Sequence, residues 1–196
     1  MCANTVKKEL CPSDPNVLAI FGSPHKNGPT ARLLDAFLGA LPQNLRIYRF
    51  DCFARSPLPC NDCRFCYKAD GCALSDLDDF YGRLELADIV VFAAPVYNLS
   101  FPAPMKALID RMQRYWAARF IRDIRPPIKL EKRAVLITSG GTVHTDGGAL
   151  MERQLKPVLT IIHARLIKAV HYTGADQNRP LDPFIAEAVN AARLMN

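Results

Sequence analysis

Five short apolar runs, separated by stretches with helical periodicity, constrain this chain more than any other feature. The first is Val17-Leu18-Ala19-Ile20-Phe21; the others occupy residues 45–50, 89–92, 134–138 and 166–172. Uninterrupted apolar runs of this length predict strands buried on both faces. Between them lie amphipathic patterns. Leu33, Leu34, Phe37, Leu38 and Leu41 form one stripe. Ser75-Asp76-Leu77-Asp78 has the form of a capping box and predicts a helix reaching about Leu86. Met105, Leu108, Ile109, Met112 and Trp116 share one helical face. Leu150, Met151, Leu155, Val158, Leu159 and Ile162 mark another helix, which Pro157 should kink or divide. Phe184, Ile185, Ala188, Val189 and Ala192 mark a last one. Strands alternating with helices predict an α/β fold around a doubly wound sheet, five parallel strands in the order 2-1-3-4-5.

In such a sheet, ligands sit beyond the C-terminal ends of the strands, where the strand order reverses. Three loops are expected there: 22–30, 94–100 and 139–142. The first is rich in polar residues and leads into a helix. Gly28 before Pro29 suits an N-cap followed by the first helical residue. The unpaired N–H groups of that helix start, with hydroxyls from Ser23 and Thr30 and charge from Lys26 and His25, suit a phosphate. The loop lacks Gly-Lys-Ser/Thr and G-x-G-x-x-G, so it is neither a Walker A loop nor a dinucleotide fingerprint. Taken alone, its Ser-Pro and Asn-Gly pairs also read as plain turn dipeptides. The second loop offers a rigid turn at Pro95, an aromatic ring at Tyr97, and polar groups at Asn98 and Ser100, a mixture suited to a flat heteroaromatic ligand. A single aromatic such as Tyr97 equally fits a half-buried core position. The third loop carries Gly140 and Gly141, which permit close backbone approach to a ligand or make an ordinary turn.

Length and charge exclude little but exclude it firmly. A chain of 196 residues supports one domain with a substantial core. Residues 1–15 read as a loosely held tail and 16–196 as a single domain. The net charge of +6 suits an anionic cofactor or an acidic partner; without a recognition motif it gives no case for nucleic acid. No apolar run approaches membrane-spanning length and the first residues have no signal-peptide core, so the expected location is the cytoplasm.

There are seven cysteines, and Cys60, Cys63, Cys66 and Cys72 crowd into 13 positions. In a cytoplasmic protein this is no disulfide framework. Four thiolates in a compact loop can ligate a 4Fe–4S cluster, hold Zn²⁺, or remain metal-free. The gap of five before Cys72, followed by Ala73, departs from the two-cluster ferredoxin pattern. Cys2, Cys11 and Cys52 have no partners by spacing and read as ordinary thiols.

Taken together, three pieces resemble the flavodoxin-like NADPH-dependent FMN reductase family. They are Gly22-Ser23-Pro24-His25-Lys26-Asn27-Gly28-Pro29-Thr30; Pro95-Val96-Tyr97 with Met105-Lys106-Ala107-Leu108-Ile109-Asp110-Arg111; and Thr138-Ser139-Gly140-Gly141. Their order and spacing hold over about residues 16–175, although Pro29 stands where that family usually has Asn. The resemblance implies a flavodoxin-like three-layer sandwich with bound FMN. It places Ser23, His25, Lys26, Asn27 and Thr30 around the phosphate, and Pro95, Val96, Tyr97 and Asn98 beside the ribityl chain and ring. Ser139, Gly140 and Gly141 close the far side. It implies an FMN-dependent oxidoreductase moving electrons from NAD(P)H to a small acceptor such as free flavin or a quinone. The flavin carries the chemistry, so no protein acid or base is assigned. Lys106, Asp110 and Arg111 match the family's helix motif and are expected to be structural. The cysteine run resembles that of the iron–sulfur flavoprotein branch, which implies as an alternative an electron-transfer protein with a 4Fe–4S cluster and a ferredoxin-like partner. Relatives form homodimers or homotetramers, and the basic, aromatic stretch 114–127 is read accordingly as a subunit contact.

Overall fold

In the computed structural model, which describes residues 16–144 and 146–195, the apolar runs form one parallel sheet. The elements in chain order are β1 (Val17–Phe21), α1 (Pro29–Gly39), β2 (Ile47–Asp51), α2 (Cys52–Arg55), α3 (Phe65–Lys68), α4 (Asp78–Leu86), β3 (Ile89–Pro95), α5 (Ala103–Asp110), α6 (Gln113–Phe120), β4 (Lys132–Ser139), α7 (Asp146–Ile161), β5 (Ala164–Tyr172) and α8 (Asp182–Arg193). The strand order is β2-β1-β3-β4-β5, as expected. The expected tail, with Cys2 and Cys11, lies outside the described residues.

Alternation along β1 divides the core into two layers. Leu18 and Ile20 face a cluster built with α4, α5, α6 and α7, including Phe80, Leu108, Met151 and Leu155. Val17, Ala19 and Phe21 face a cluster built with α1 and α8, including Leu33, Phe37, Ala188 and Ala192. All five residues of β1 are fully buried, which is why this segment reads as a continuous apolar run. Among the described residues no helix is long and apolar enough to cross a membrane.

Three local expectations are corrected. The capping box at 75–78 does not form: α4 starts after Leu77 without a side-chain cap, and Ser75 contributes only its carbonyl, to the Asp78 N–H. Asp76 is used elsewhere. It accepts from the Leu58 N–H at 3.0 Å and pairs with Arg111 at 3.0 Å. The face running from Met105 to Trp116 is not one helix, because the chain breaks at Arg111 and Met112 into α5 and α6. Pro157 does not divide α7, which runs unbroken from Asp146 to Ile161.

The break between α5 and α6 has a purpose that periodicity cannot reveal. Arg111 is 1% exposed and reaches under the cysteine loop. Its Nη1 donates to Leu58 O and to Asp76, and its Nη2 to Leu74 O at 2.8 Å. One guanidinium thus ties together both ends of the segment that carries the four cysteines. The segment's middle is held from α6 and the turn after it: Arg122 pairs with Asp70 at 3.0 Å, and Arg114 lies 3.6 Å from both Asp70 and Glu85. Lys106 and Asp110 form an ion pair one turn apart. The structural role expected of Lys106, Asp110 and Arg111 is therefore what their contacts show.

Arg111→Met should remove these donors and leave two carbonyls and Asp76 short of partners, at a cost of roughly 2–4 kcal/mol. We expect a lower denaturation midpoint and faster alkylation of the partly buried Cys66 and Cys72; unchanged alkylation rates would show that Arg111 does not hold this loop.

Candidate functional site

The three loops meet at the C-terminal edge of the sheet. The first leaves β1 under control of β3, because the Gly22 N–H still donates to Ala93 O at 2.8 Å. A Cβ at Gly22 would lie 2.5 Å from Met105 Sδ, so the chain passes close against α5 here. Ser23 is 4% exposed, and its Oγ accepts from the His25 N–H at 3.2 Å, which rounds the loop. Gly28 is the N-cap of α1 with extended backbone, and Pro29 is the first helical residue, as expected. No side chain caps this helix, so its first N–H groups remain available to an anion. His25, Lys26 and Asn27 stand exposed around it.

Thr30 is placed differently from the other loop residues. It is 1% exposed, and its Oγ1 lies 2.6 Å from the Oγ of Ser139, itself 7% exposed. The two hydroxyls join the start of α1 to the end of β4. They lock the first and third loops to each other.

The second loop follows β3, and the Val96 N–H donates to Ser139 O at 2.8 Å. Residues 97–100 then form a tight turn in which Tyr97 and Ser100 exchange backbone hydrogen bonds at 3.0 Å. Both central residues have positive φ, Asn98 at 50° and Leu99 at 61°. This is the backbone of a type I′ turn, which normally asks for Asn-Gly. A leucine held there is strained, and strain of this kind collects at functional sites. Ser100 Oγ donates to Gln154 Oε1 at 2.9 Å, which anchors the turn on α7.

Between the second and third loops, the start of α7 and the turn after β5 opens a cleft of about 470 Å³, a size suited to a small ligand; the expected site residues Ser23, His25, Lys26, Asn27, Thr30, Pro95 and Ser139 are not in its lining. Val96, Asn98, Gly140 and Gly141 line it, as do Leu99 from the strained turn and Gly147 from the start of α7. Close packing explains two of the glycines. A Cβ at Gly147 would lie 2.5 Å from Val96, and one at Gly141 would lie 2.2 Å from the carboxylate of Asp176. Tyr97 is 43% exposed and is not part of the lining, to which Leu99 of the same turn contributes instead. Asp146, Thr173 and Asp176 also line the cleft and were missed by sequence reasoning. Asp146 opens α7, and Thr173 and Asp176 follow β5; only the proximity of β4 and β5 brings them in.

The four cysteines lie around one separate pocket, together with Arg111 and Arg114. Cys60 and Cys63 are exposed, Cys66 and Cys72 half-buried. Burial pushes the Cys66 thiol up, with Cys72, Cys60 and Cys63 adding smaller effects in the same direction. Among the described residues, however, no group of three or more His, Cys, Asp or Glu side chains is arranged to hold a metal ion. The expected ligand set of Cys60, Cys63, Cys66 and Cys72 is therefore gathered around one pocket without forming a coordination shell. Cys52, expected to be an ordinary thiol, is fully buried, and burial pushes its thiol up to about 12.

Comparison with known proteins gives a consistent picture. The model of a family described as NADPH-dependent FMN reductase matches residues 15–178. An iron-sulfur flavoprotein of Archaeoglobus fulgidus is 33% identical over 100 residues, covering 50% of this chain and 46% of that protein. FMN-dependent NADH:quinone oxidoreductase 3 of Pseudomonas aeruginosa is 29% identical over 173 residues, 81% of each chain. The chain spans about half the length of the two iron-sulfur flavoproteins it matches, 46% and 51%. Among solved structures, an NAD(P)H:quinone oxidoreductase from Methanothermobacter marburgensis superposes with a TM-score of 0.71 at 18% identity, covering 92% of this chain and 95% of that one. An FMN-dependent NADH-azoreductase from Bacillus anthracis in complex with FMN superposes at 0.64 with 16% identity, covering 92% and 99%. At these identities the structural likeness concerns the fold.

Thr30→Val should leave the buried Ser139 hydroxyl without its partner and cost about 1–3 kcal/mol. Thermal unfolding checks this; a double substitution with Ser139→Ala should recover part of the loss, and strict additivity would show that the pair does not interact.

Proposed function

Because the chain belongs to the NADPH-dependent FMN reductase family, we propose that it is an FMN-dependent oxidoreductase taking electrons from NAD(P)H. The observation that carries this reading is an uncapped helix start held, through the Thr30–Ser139 pair, beside a cleft that a strained turn and a double-glycine loop line at the C-terminal edge of the sheet. An anionic tail fits the first of these and a flat ring the other two. Residues 16–196 act in this reading as one FMN-binding domain.

The N–H groups of α1, with Ser23, hold the phosphate, and the exposed Lys26 and His25 balance its charge. Asn27 shapes that loop. Thr30 and Ser139 serve the site by fixing the first loop against the third. Pro95, Val96 and Asn98 border the ring on one side, with Tyr97 at the rim, and Gly140 and Gly141 let it lie against backbone on the other. Bound FMN supplies a carrier that accepts a hydride from nicotinamide and passes two electrons on. The chain's own part is to orient that carrier and leave one face open to NAD(P)H and then to a small acceptor. The names of its relatives favour a quinone-type acceptor.

The cysteine pocket does not enter this reading, because its sulfurs are not arranged as a ligand set. Iron and acid-labile sulfide in anaerobically purified protein would instead assign it to a cluster and the chain to electron transfer with a ferredoxin-like partner. A groove between α5, α6 and α7 is lined by Phe101, Met112, Trp116 and Phe120 with Lys106 and Asp110, and Ile121 and Ile124, which follow Phe120 in the chain, are exposed. We read this face as the contact with a second copy of the chain. Sedimentation should give a dimer or tetramer, and Phe120→Glu should shift it toward monomer.

Purified protein should take up FMN and turn yellow, and NADPH or NADH should bleach it rapidly under anaerobic conditions. Ser23→Ala should weaken FMN binding about tenfold, from the loss of roughly 1–3 kcal/mol at a charged partner. Unchanged affinity would place the phosphate elsewhere, and very slow bleaching by both nucleotides would remove the reductase reading.

A further inference from the structure

Beneath the cleft, on the sheet face covered by α7, runs a polar array that the proposed function leaves unused. Thr138, next to last in β4, is 1% exposed and forms part of the cleft lining. Its cross-strand neighbour in β5 is His171. Thr138 Oγ1 lies 2.8 Å from His171 Nδ1. On the far side of the ring, Nε2 lies 3.7 Å from Glu152 Oε2 in α7, and Glu152 Oε1 takes the Lys156 ammonium at 2.9 Å. The array thus leads from the cleft lining to a lysine that is 60% exposed.

The backbone around it is shaped to admit it. A Cβ at Gly148 would lie 2.6 Å from His171 Nδ1 and 3.1 Å from Thr138 Oγ1, so any side chain there would break the pair. The charged groups around the ring are Glu152 and Lys156 from α7, Lys168 from its own strand and Glu187 from α8. Burial lowers the titration of His171 below that of an ordinary histidine, and Glu152 acts against it. The resting ring is therefore neutral at neutral pH, with one nitrogen free to gain a proton.

We propose that His171 is a redox-linked proton site, gaining a proton when the cleft is reduced and losing it on reoxidation. The inference rests on the reading of the cleft as a flavin site. A hydride delivers two electrons and one proton, so each hydride adds one negative charge to the cleft. In the neutral ring Nε2–H faces Glu152 and Nδ1 accepts from the Thr138 O–H; His171 then takes one solvent proton, and Nδ1 becomes a donor. Its Nδ1–H donates to Thr138 Oγ1, which leaves the Thr138 O–H to point into the cleft toward the added charge. When a hydride leaves for a two-electron acceptor, His171 returns its proton to solvent, and the overall stoichiometry of the reaction is unchanged. His171 acts through Thr138 and is a positioning residue.

The test follows the ring resonances of His171 by NMR across pH in FMN-loaded protein, oxidised and then chemically reduced. We expect the proton affinity of His171 to rise at least tenfold on reduction. Between the two titrations, the midpoint potential of bound FMN should fall by about 30 mV more per pH unit in the wild type than in His171→Asn, one proton for two electrons. Thr138→Val, which cuts the ring off from the cleft, should reduce the difference between the two titrations, and Glu152→Gln should lower both. Identical titration of His171 in the two states, or superimposable potential curves, would overturn the proposal. Failure to take up FMN is seen first, as a colourless protein, and would overturn the flavin reading and this inference with it.

Discussion

A parallel sheet can exist in water only if both faces are covered, because each strand is joined to the next by a crossover that lies on one face or the other. In this protein β1 bears that constraint most heavily. It is hydrogen-bonded to β2 and β3, fully buried along its length, and shared by both halves of the core. Its C-terminal end is where the chain must turn out toward solvent, and where the crossovers depart to opposite faces. The cleft lies beside that divergence, between the loops after β3 and β4, the start of α7 and the turn after β5.

What keeps the cleft open at the right width is a small set of polar links. The Thr30–Ser139 hydroxyl pair holds the first loop to the third. The Val96 N–H bond to Ser139 O holds the second loop to the third, and the Ser100–Gln154 bond holds the 97–100 turn to α7. Ser139 is the common member. Expected to close the far side of the ring, it is better understood as the joint at which three loops meet. The strain of Leu99 is tolerable because both ends of its turn are fixed in this way.

The legible parts of the fold were those set by long-range burial. Each apolar run became a strand, and the 2-1-3-4-5 order followed from alternation with helices. The failures were local and share a cause. The Ser75–Asp78 capping box did not form, and the carboxylate of Asp76 between them went to the buried guanidinium of Arg111. The helical face from Met105 to Trp116 broke because Arg111 had to turn under the cysteine loop. Arg114 and Arg122, in the stretch read as a subunit contact, reach instead to Asp70. Periodicity registers which side of a helix is apolar, and it is blind to an arginine whose partner lies 35 or more residues away.

For the site, the sequence by itself determined the strand–loop–helix unit at 17–39, the glycines of the third loop and the polar character of the second. Those features depend on local chemistry: where a helix can start, and where a backbone can pass without a side chain. The tertiary structure decided what the loops do to one another. It turned Tyr97 outward and brought in Leu99, spent Thr30 on Ser139, and set Thr138, His171 and Glu152 in line beneath the cleft. It also left four closely spaced cysteines around a pocket without a coordination shell. These outcomes depend on distances between residues far apart in the chain, and no spacing along the sequence encodes them.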